Sequence, residues 1–344
     1  MKIVGLEEHI AMPQLLDAWS RVPGIPQIPE LGYGDAPLAL RLRDKGDRRL
    51  AEMDDQGVDV QVLSLSTPGV QNLAPKDAVL VAREVNDALS EIVDNNPTRF
   101  QAFAAVPTPA PEAAAAELER AVTKLGCRGA MLFGRTGTAH ADAPQFDDLY
   151  GVADRLGAPL YFHPQTPVRA VHDAYYAGIN PKVDFMFATF GVGWYYDLGV
   201  ELLRLIFSGV FDRHPNLQVI VGHWGELVLF YLDHIASMQT LGLHLERPLA
   251  QYFRQNVWVT GSGTLSERYL RWTAEVVGSD RILYSSDYPF TYATGDPIVE
   301  TSAGRARSFL ERAPLTADEK DAIGSGNWKR LTACLPASSN ASVG

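Results

Sequence analysis

The sequence predicts one α/β domain, a (β/α)8 TIM barrel with long loops over its C-terminal mouth. Eight short runs rich in Val, Ile and Leu recur along the 344 residues, and helical patterns fill the intervals between them. Several of these runs are apolar on successive residues, the mark of parallel strands buried on both faces. No internal repeat or linker-like stretch divides the chain. A doubly wound open sheet is the other architecture that this alternation fits.

The strand candidates span 3–9, 60–66, 101–107, 128–134, 159–163, 218–223, 257–261 and 282–287. Between the second and third, Pro75 opens a helix in which Val81, Val85, Leu89 and Ile92 or Val93 form an apolar stripe, until Asn95-Asn96-Pro97 stops it. Pro111 opens the next, with Leu118, Val122 and Leu125 on one face and Gly126 as its C-terminal cap. Segments 198–210, 226–240, 265–278 and 297–311 carry similar periodicity. Two connections are long for a compact domain. Residues 20–47 contain Pro23, Pro26, Pro29 and Pro37, and residues 164–197 hold eight aromatic rings, Trp194 and Tyr195 among them. So many rings predict folded walls around a pocket. The domain is expected to cover 1–335, with 336–344 as a disordered tail.

Composition removes several function classes. With 46% hydrophobic and 21% charged residues the chain reads as ordinary globular protein. A net charge of −11 and a pI near 5.2 repel phosphate backbones, so no nucleic-acid partner is expected. No apolar run approaches the roughly 18 residues of a membrane span. Glu7 and Glu8 interrupt the N-terminus before a signal-peptide core could form, which predicts a cytoplasmic protein. Cys127 and Cys334 are too few for a disulfide framework, and neither has a neighbouring histidine. Gly261-Ser262-Gly263 lacks the rest of a dinucleotide fingerprint, and no G-x-S-x-G elbow occurs. No nucleotide, flavin or pyridoxal cofactor is expected.

The ionisable residues at strand ends are more informative. Glu7 and His9 close the first strand and, two apart, point to one side of it. His163 closes the fifth, His223 the sixth and Asp287 the eighth. In a (β/α)8 barrel these ends meet at one mouth, where active sites are built. Glu7 lies among Ile3, Val4 and Leu6, and a carboxylate buried there needs a cation. Carboxylates and imidazoles from several strands therefore predict one shared divalent metal such as Zn or Mn. His140, His172, His214 and His244 fall in loops or helices and are read as structural, without partners.

Around these residues the chain resembles the amidohydrolase superfamily, in its aromatic-acid decarboxylase branch of γ-resorcylate, 2,3-dihydroxybenzoate and 5-carboxyvanillate decarboxylases. The resemblance spans nearly the whole chain. It rests on Leu6-Glu7-Glu8-His9, Phe162-His163-Pro164, Gly222-His223-Trp224-Gly225-Glu226 and Ser286-Asp287-Tyr288-Pro289-Phe290, with further matches at 63–71, 99–104 and 205–213. The E-x-H of Glu7 and His9 separates it from hydrolytic relatives, which carry H-x-H there. The resemblance implies one Mn or Zn held by Glu7, His9, His163 and Asp287, with His223 and Glu226 as the adjacent catalytic pair. It also implies a homodimer or homotetramer.

The reaction implied is the non-oxidative decarboxylation of an ortho-hydroxylated aromatic acid, with Asp287 as ring-protonating acid and His223 as the rival donor. Phe290, Trp194 and Tyr195 are expected to contact the substrate ring. Two stretches depart from the family's pattern. Gly193-Trp194-Tyr195-Tyr196-Asp197-Leu198-Gly199 stands where phenylalanine-glycine, an aliphatic residue and Glu-Thr are usual, and His234 stands where an arginine often holds substrate. Both affect the pocket wall. The alternative activity is metal-dependent hydrolysis of a lactone, ester or amide in the same barrel.

Overall fold

The computed structural model describes residues 1–25, 27–290 and 305–336. Its strands are β1 (Val4–Ile10), β2 (Val60–Leu65), β3 (Phe100–Ala102), β4 (Ala104–Ala105), β5 (Ala130–Phe133), β6 (Leu160–His163), β7 (Val219–Val221), β8 (Val257–Thr260) and β9 (Ile282–Leu283). Neighbours pair in the orders β1-β2-β3 and β4-β5-β6-β7-β8-β9, and every pairing is parallel. β3 and β4 are two pieces of one stave, interrupted at Phe103. There the Phe103 N–H donates to Leu63 O and the Ala104 N–H to Gly129 O, each at 2.9 Å. The ring closes between β9 and β1 through a parallel bridge of Leu6 with Ser285 and the Leu6 N–H donating to Tyr284 O at 3.0 Å. Eight staves therefore form the expected barrel, and the open sheet is excluded.

The long helix Pro75–Asn95 starts at its proline and buries Ala78, Val81, Ala82, Val85 and Leu89, the stripe that the periodicity predicts. Pro111–Thr123 likewise buries Leu118 and Val122, and Gly126 follows it at φ 73. The expected 265–278 helix is observed as Glu267–Val277. The expected 226–240 helix is Val228–Ala236, followed by a tighter turn over Ser237–Leu241. Of the segment expected over 297–311, the described part is the helix Arg305–Arg312; 297–304 and tail residues 337–344 lie outside the described residues.

One boundary needs correction. The helix expected over 198–210 runs instead from Gly193 to Phe207, so Trp194, Tyr195, Tyr196 and Asp197 belong to its first turns rather than to the preceding loop. Leu198, Leu202, Leu205 and Ile206 form its buried stripe, and the backbone bonds of Tyr195 and Tyr196 to Val192 O extend it backwards. The connection before it is folded as anticipated, with short helices at Arg169–Val171 and Pro181–Met186. Among the described residues, no helix is long and apolar enough to cross a membrane.

Candidate metal centre and active site

The mouth is built where strands stop being regular. Along β1, three residues pass from Gly5 to Glu8 while two pass on β2 from Gln61 to Leu63, a bulge that coincides with φ 61 at Glu7. Simple alternation is therefore not the reason that Glu7 and His9 converge; the bulge turns Glu7 inward. Asp287 at φ 54 and His223 at φ 46 are also left-handed. Such backbone costs roughly 1–3 kcal/mol per residue and persists where surrounding structure over-determines it, commonly at functional sites.

Glu7, His9 and His163 bring three ligand atoms within 4.8 Å of one another. Glu7 Oε1 lies 3.2 Å from His163 Nε2 and 3.9 Å from His9 Nε2, and His9 Nε2 lies 3.5 Å from Asp287 Oδ1. The partners of the remaining atoms fix which atoms face the centre. His9 Nδ1 donates to Leu65 O at 3.1 Å and His163 Nδ1 to Pro164 O at 2.6 Å, so both Nε2 lone pairs point inward. Glu7 Oε2 accepts from the Tyr161 and Ser262 hydroxyls. That leaves Glu7 Oε1 and His9 Nε2, both buried, without a hydrogen-bond partner. These open buried atoms, a carboxylate oxygen and an imidazole nitrogen with a second imidazole nitrogen beside them, fit a divalent cation.

Electrostatics follow the same geometry. Burial alone would push Glu7 up, but the facing rings of His163 and His9, with the charges of His163 and His223, hold it well below the usual carboxylate range. Burial lowers His9. Asp287 is driven the other way, well above the carboxylate range, by burial and by the charges of Glu7 and Glu8. His223 Nδ1 sits 2.8 Å from Glu226 Oε1. Burial pulls its imidazolium down, but the charge and hydrogen bond of Glu226, with the charge of Glu7, outweigh this and raise it above its ordinary value.

The three aromatic candidates each stand beside one of these residues. Phe290 lies 5.6 Å from the His9 ring, Trp194 6.0 Å from His163 and Tyr195 4.6 Å from His223, measured between ring centres. His234 does not join them: it lies exposed on the helix Val228–Ala236. Three of the histidines read as partnerless have partners. His140 Nδ1 meets Glu201 at 2.7 Å, His172 Nδ1 meets Asp173 at 3.1 Å, and His214 Nε2 lies 3.1 Å from Asp147 Oδ1. They do lie in loops or helical turns, but acids distant or adjacent in sequence fold onto them.

A second layer escaped the sequence. Glu8, fully buried, accepts from Gln61 Nε2 at 3.1 Å, from the Ser286 N–H at 3.0 Å and from the Ser286 hydroxyl at 2.5 Å. Burial pushes it up to about 7, against the Ser286 hydrogen bonds and the Arg49 charge. Arg49 donates to His9 O at 2.7 Å and to Gln61 Oε1 at 3.1 Å, and its guanidinium covers the Tyr288 ring at 4.4 Å. This network stitches β1 to the segment carrying Asp287. A signal for part of it existed: Tyr161 is two residues before His163 on the same face, and Arg49 is four before the buried Met53.

A family model for amidohydrolases matches residues 35–331. The γ-resorcylate decarboxylase of Rhizobium radiobacter is 36% identical over 344 residues, covering 95% of this chain and 97% of that one. The structure of 5-carboxyvanillate decarboxylase from Sphingomonas paucimobilis superposes with a TM-score of 0.85 at 29% identity, over 96% of this chain and 99% of that one. A dihydroxybenzoic acid decarboxylase from a Polaromonas species, solved with manganese and 2-nitroresorcinol, gives 0.81 at 30% identity over 96% and 97%. The chain belongs to the amidohydrolase family, and its cluster of Glu7, His9 and His163 could hold a divalent metal. Within that family it is an aromatic-acid decarboxylase, a carboxy-lyase.

Proposed function

We propose that the substrate is an aromatic acid with a hydroxyl ortho to its carboxylate, that the metal is manganese, and that Asp287 delivers a proton to the ring. The observation that carries this reading is the convergence of Glu7 Oε1, His9 Nε2 and His163 Nε2 on one point, beside Asp287 and inside a rim of three rings. Manganese is favoured by the mixed carboxylate–imidazole donors and by the metal bound in the Polaromonas relative.

Simple loss of CO2 from a benzoate would leave an in-plane aryl anion that the ring cannot delocalise. When bound, the cation supplies a Lewis acid that neutralises and orients the carboxylate–phenol edge. Trp194, Tyr195 and Phe290 flank the ring and exclude water. Asp287, held protonated by burial and by its acidic neighbours, gives its proton to the carboxyl-bearing carbon. The carbon–carbon bond then breaks, its electron pair returns to the ring, CO2 leaves, and the Asp287 carboxylate recovers a proton from solvent. His223, oriented by Glu226, polarises the substrate or relays that proton. The same steps in reverse carboxylate a phenol.

We further read the protein as cytoplasmic and as a homodimer or homotetramer, the assembly being supported by the exposed rings of Tyr175, Phe190, Tyr196 and Phe230. The activity is tested with a panel of hydroxybenzoates and hydroxynaphthoates, γ-resorcylate included, monitored for CO2. Release from ortho-hydroxylated acids alone is the expected result. Release of acid from lactones or esters, without CO2 from any member of the panel, would overturn it.

A further inference from the structure

The helix Gly193–Phe207 carries Asp197, Glu201 and Arg204 at spacings that place them on one face. Each meets a partner from the loop after β5. The Arg135 Nε and Nη2 both lie 3.2 Å from Asp197 Oδ2. Glu201 takes His140 Nδ1 on one oxygen and the Ala141 N–H on the other, each at 2.7 Å. Arg204 forks onto Asp142 from Nε at 2.7 Å and Nη2 at 3.1 Å. The partners run in the same order along loop and helix, so the helix is laced to the loop along about two turns.

The lacing is deepest at its inner end. The side chains of Arg135 and Asp197 are 6% and 14% exposed, whereas Arg204 is 44% exposed. Arg135 also donates to Gly137 O at 3.1 Å and to Thr166 O at 3.2 Å, and its own carbonyl accepts from Gln71 Nε2 at 3.0 Å. One guanidinium thus joins the first turns of the helix to the segment that follows His163. Trp194 and Tyr195, which stand against His163 and His223, lie within the turn before Asp197.

We propose that Arg135, paired with Asp197, is a positioning residue for substrate selection: it fixes Trp194 and Tyr195 over the metal cluster and so sets which substituted rings fit. The inference rests on Trp194 and Tyr195 being ring contacts. A helix moves as a rigid element, so freeing its first turns displaces both rings together, and small displacements of a binding wall have large kinetic consequences. The metal residues stand on strands and share none of these pairs.

The test compares Arg135→Gln, Asp197→Asn and the double variant with wild type. It measures kcat and KM for γ-resorcylate, and the affinity of the metal-stripped protein for Mn2+. Each single variant is expected to raise KM at least about tenfold with Mn2+ affinity unchanged. The double variant should be no worse than the poorer single one, because the pair acts as a unit. Arg135→Lys, which keeps the charge without the fork, should recover part of the KM. Asp197→Asn keeps its shape and carries the test should Arg135→Gln fail to fold. A folded Asp197→Asn protein with wild-type KM overturns the proposal, as does a loss of Mn2+ affinity in step with KM. Trp194→Ala and Tyr195→Ala separate the two readings. If they raise KM and Asp197→Asn does not, the clamp alone fails; if neither raises it, the wall reading fails.

Discussion

The two sides of the barrel mouth hold their side chains by different means. On one side Glu7 at the β1 bulge, His9, His163 and Asp287 stand on or just beyond strands, two of them in left-handed backbone, and the remaining atoms of Glu7, His9 and His163 are tied to Tyr161 and Ser262, to Leu65 and to Pro164. On the other, Trp194 and Tyr195 ride on a helix held by side-chain pairs to a loop. Main-chain anchoring of the first kind tolerates little change, because shifting one ligand means re-forming a sheet. Side-chain lacing of the second kind can be altered one pair at a time. The difference separates a fixed chemical edge from an adjustable binding wall.

The comparison breaks most visibly at the metal edge. His163→Ala removes an imidazole whose Nε2 faces Glu7 at 3.2 Å. We expect loss of bound metal and a fall in turnover of at least about a thousandfold, since a Lewis acid supplies several kcal/mol. Metal content and CO2 release check both. Behind that edge, Glu8 sits at about 7 rather than 4.5, so the folded state holds its proton more tightly than the unfolded chain does. Its stabilising contribution is complete below about pH 4.5 and is lost as pH rises through about 7. Wild type should therefore lose on the order of 3 kcal/mol relative to Glu8→Gln across that window. Denaturant unfolding between about pH 4 and 8 measures it, and a pH-independent difference would contradict it.

Asp287→Asn sharpens the comparison within the edge. The amide keeps the size of the side chain but has no carboxyl proton to give. Metal should remain while kcat falls at least about a hundredfold. Near-normal turnover in that variant, beside a dead His223→Asn enzyme, would hand the proton to His223. The smallest effects belong to the wall. Phe290→Ala, Trp194→Ala and Tyr195→Ala should each raise KM by up to about tenfold, the value of one ring contact, and leave metal content unchanged. Equal KM in all three would remove the aryl pocket from the account.

Much of the edge was legible because strand ends announce themselves. An apolar run that stops at His163, or that carries Glu7 among Ile3, Val4 and Leu6, marks both an element and its chemistry. The ring of eight staves followed from the same runs. The wall was less legible: the turns from Gly193 to Asp197 read as loop, since the buried stripe of their helix is clear only from Leu198 onward. The clamp was invisible, because Arg135 and Asp197 are 62 residues apart and no local period links them. Glu8 and Arg49 received no structural role from the sequence, because only the fold brings Glu8 to Ser286 and lays Arg49 over Tyr288. His234 shows the converse, a position inferred from a family pattern that stands exposed in this chain.

The central claim is that a cation held by Glu7, His9 and His163 is required for decarboxylation. The most direct test strips the wild-type enzyme of metal and titrates Mn2+ back while recording CO2 release from γ-resorcylate. The account predicts no turnover in the stripped protein and full recovery at one ion per chain. Full turnover without metal would contradict it.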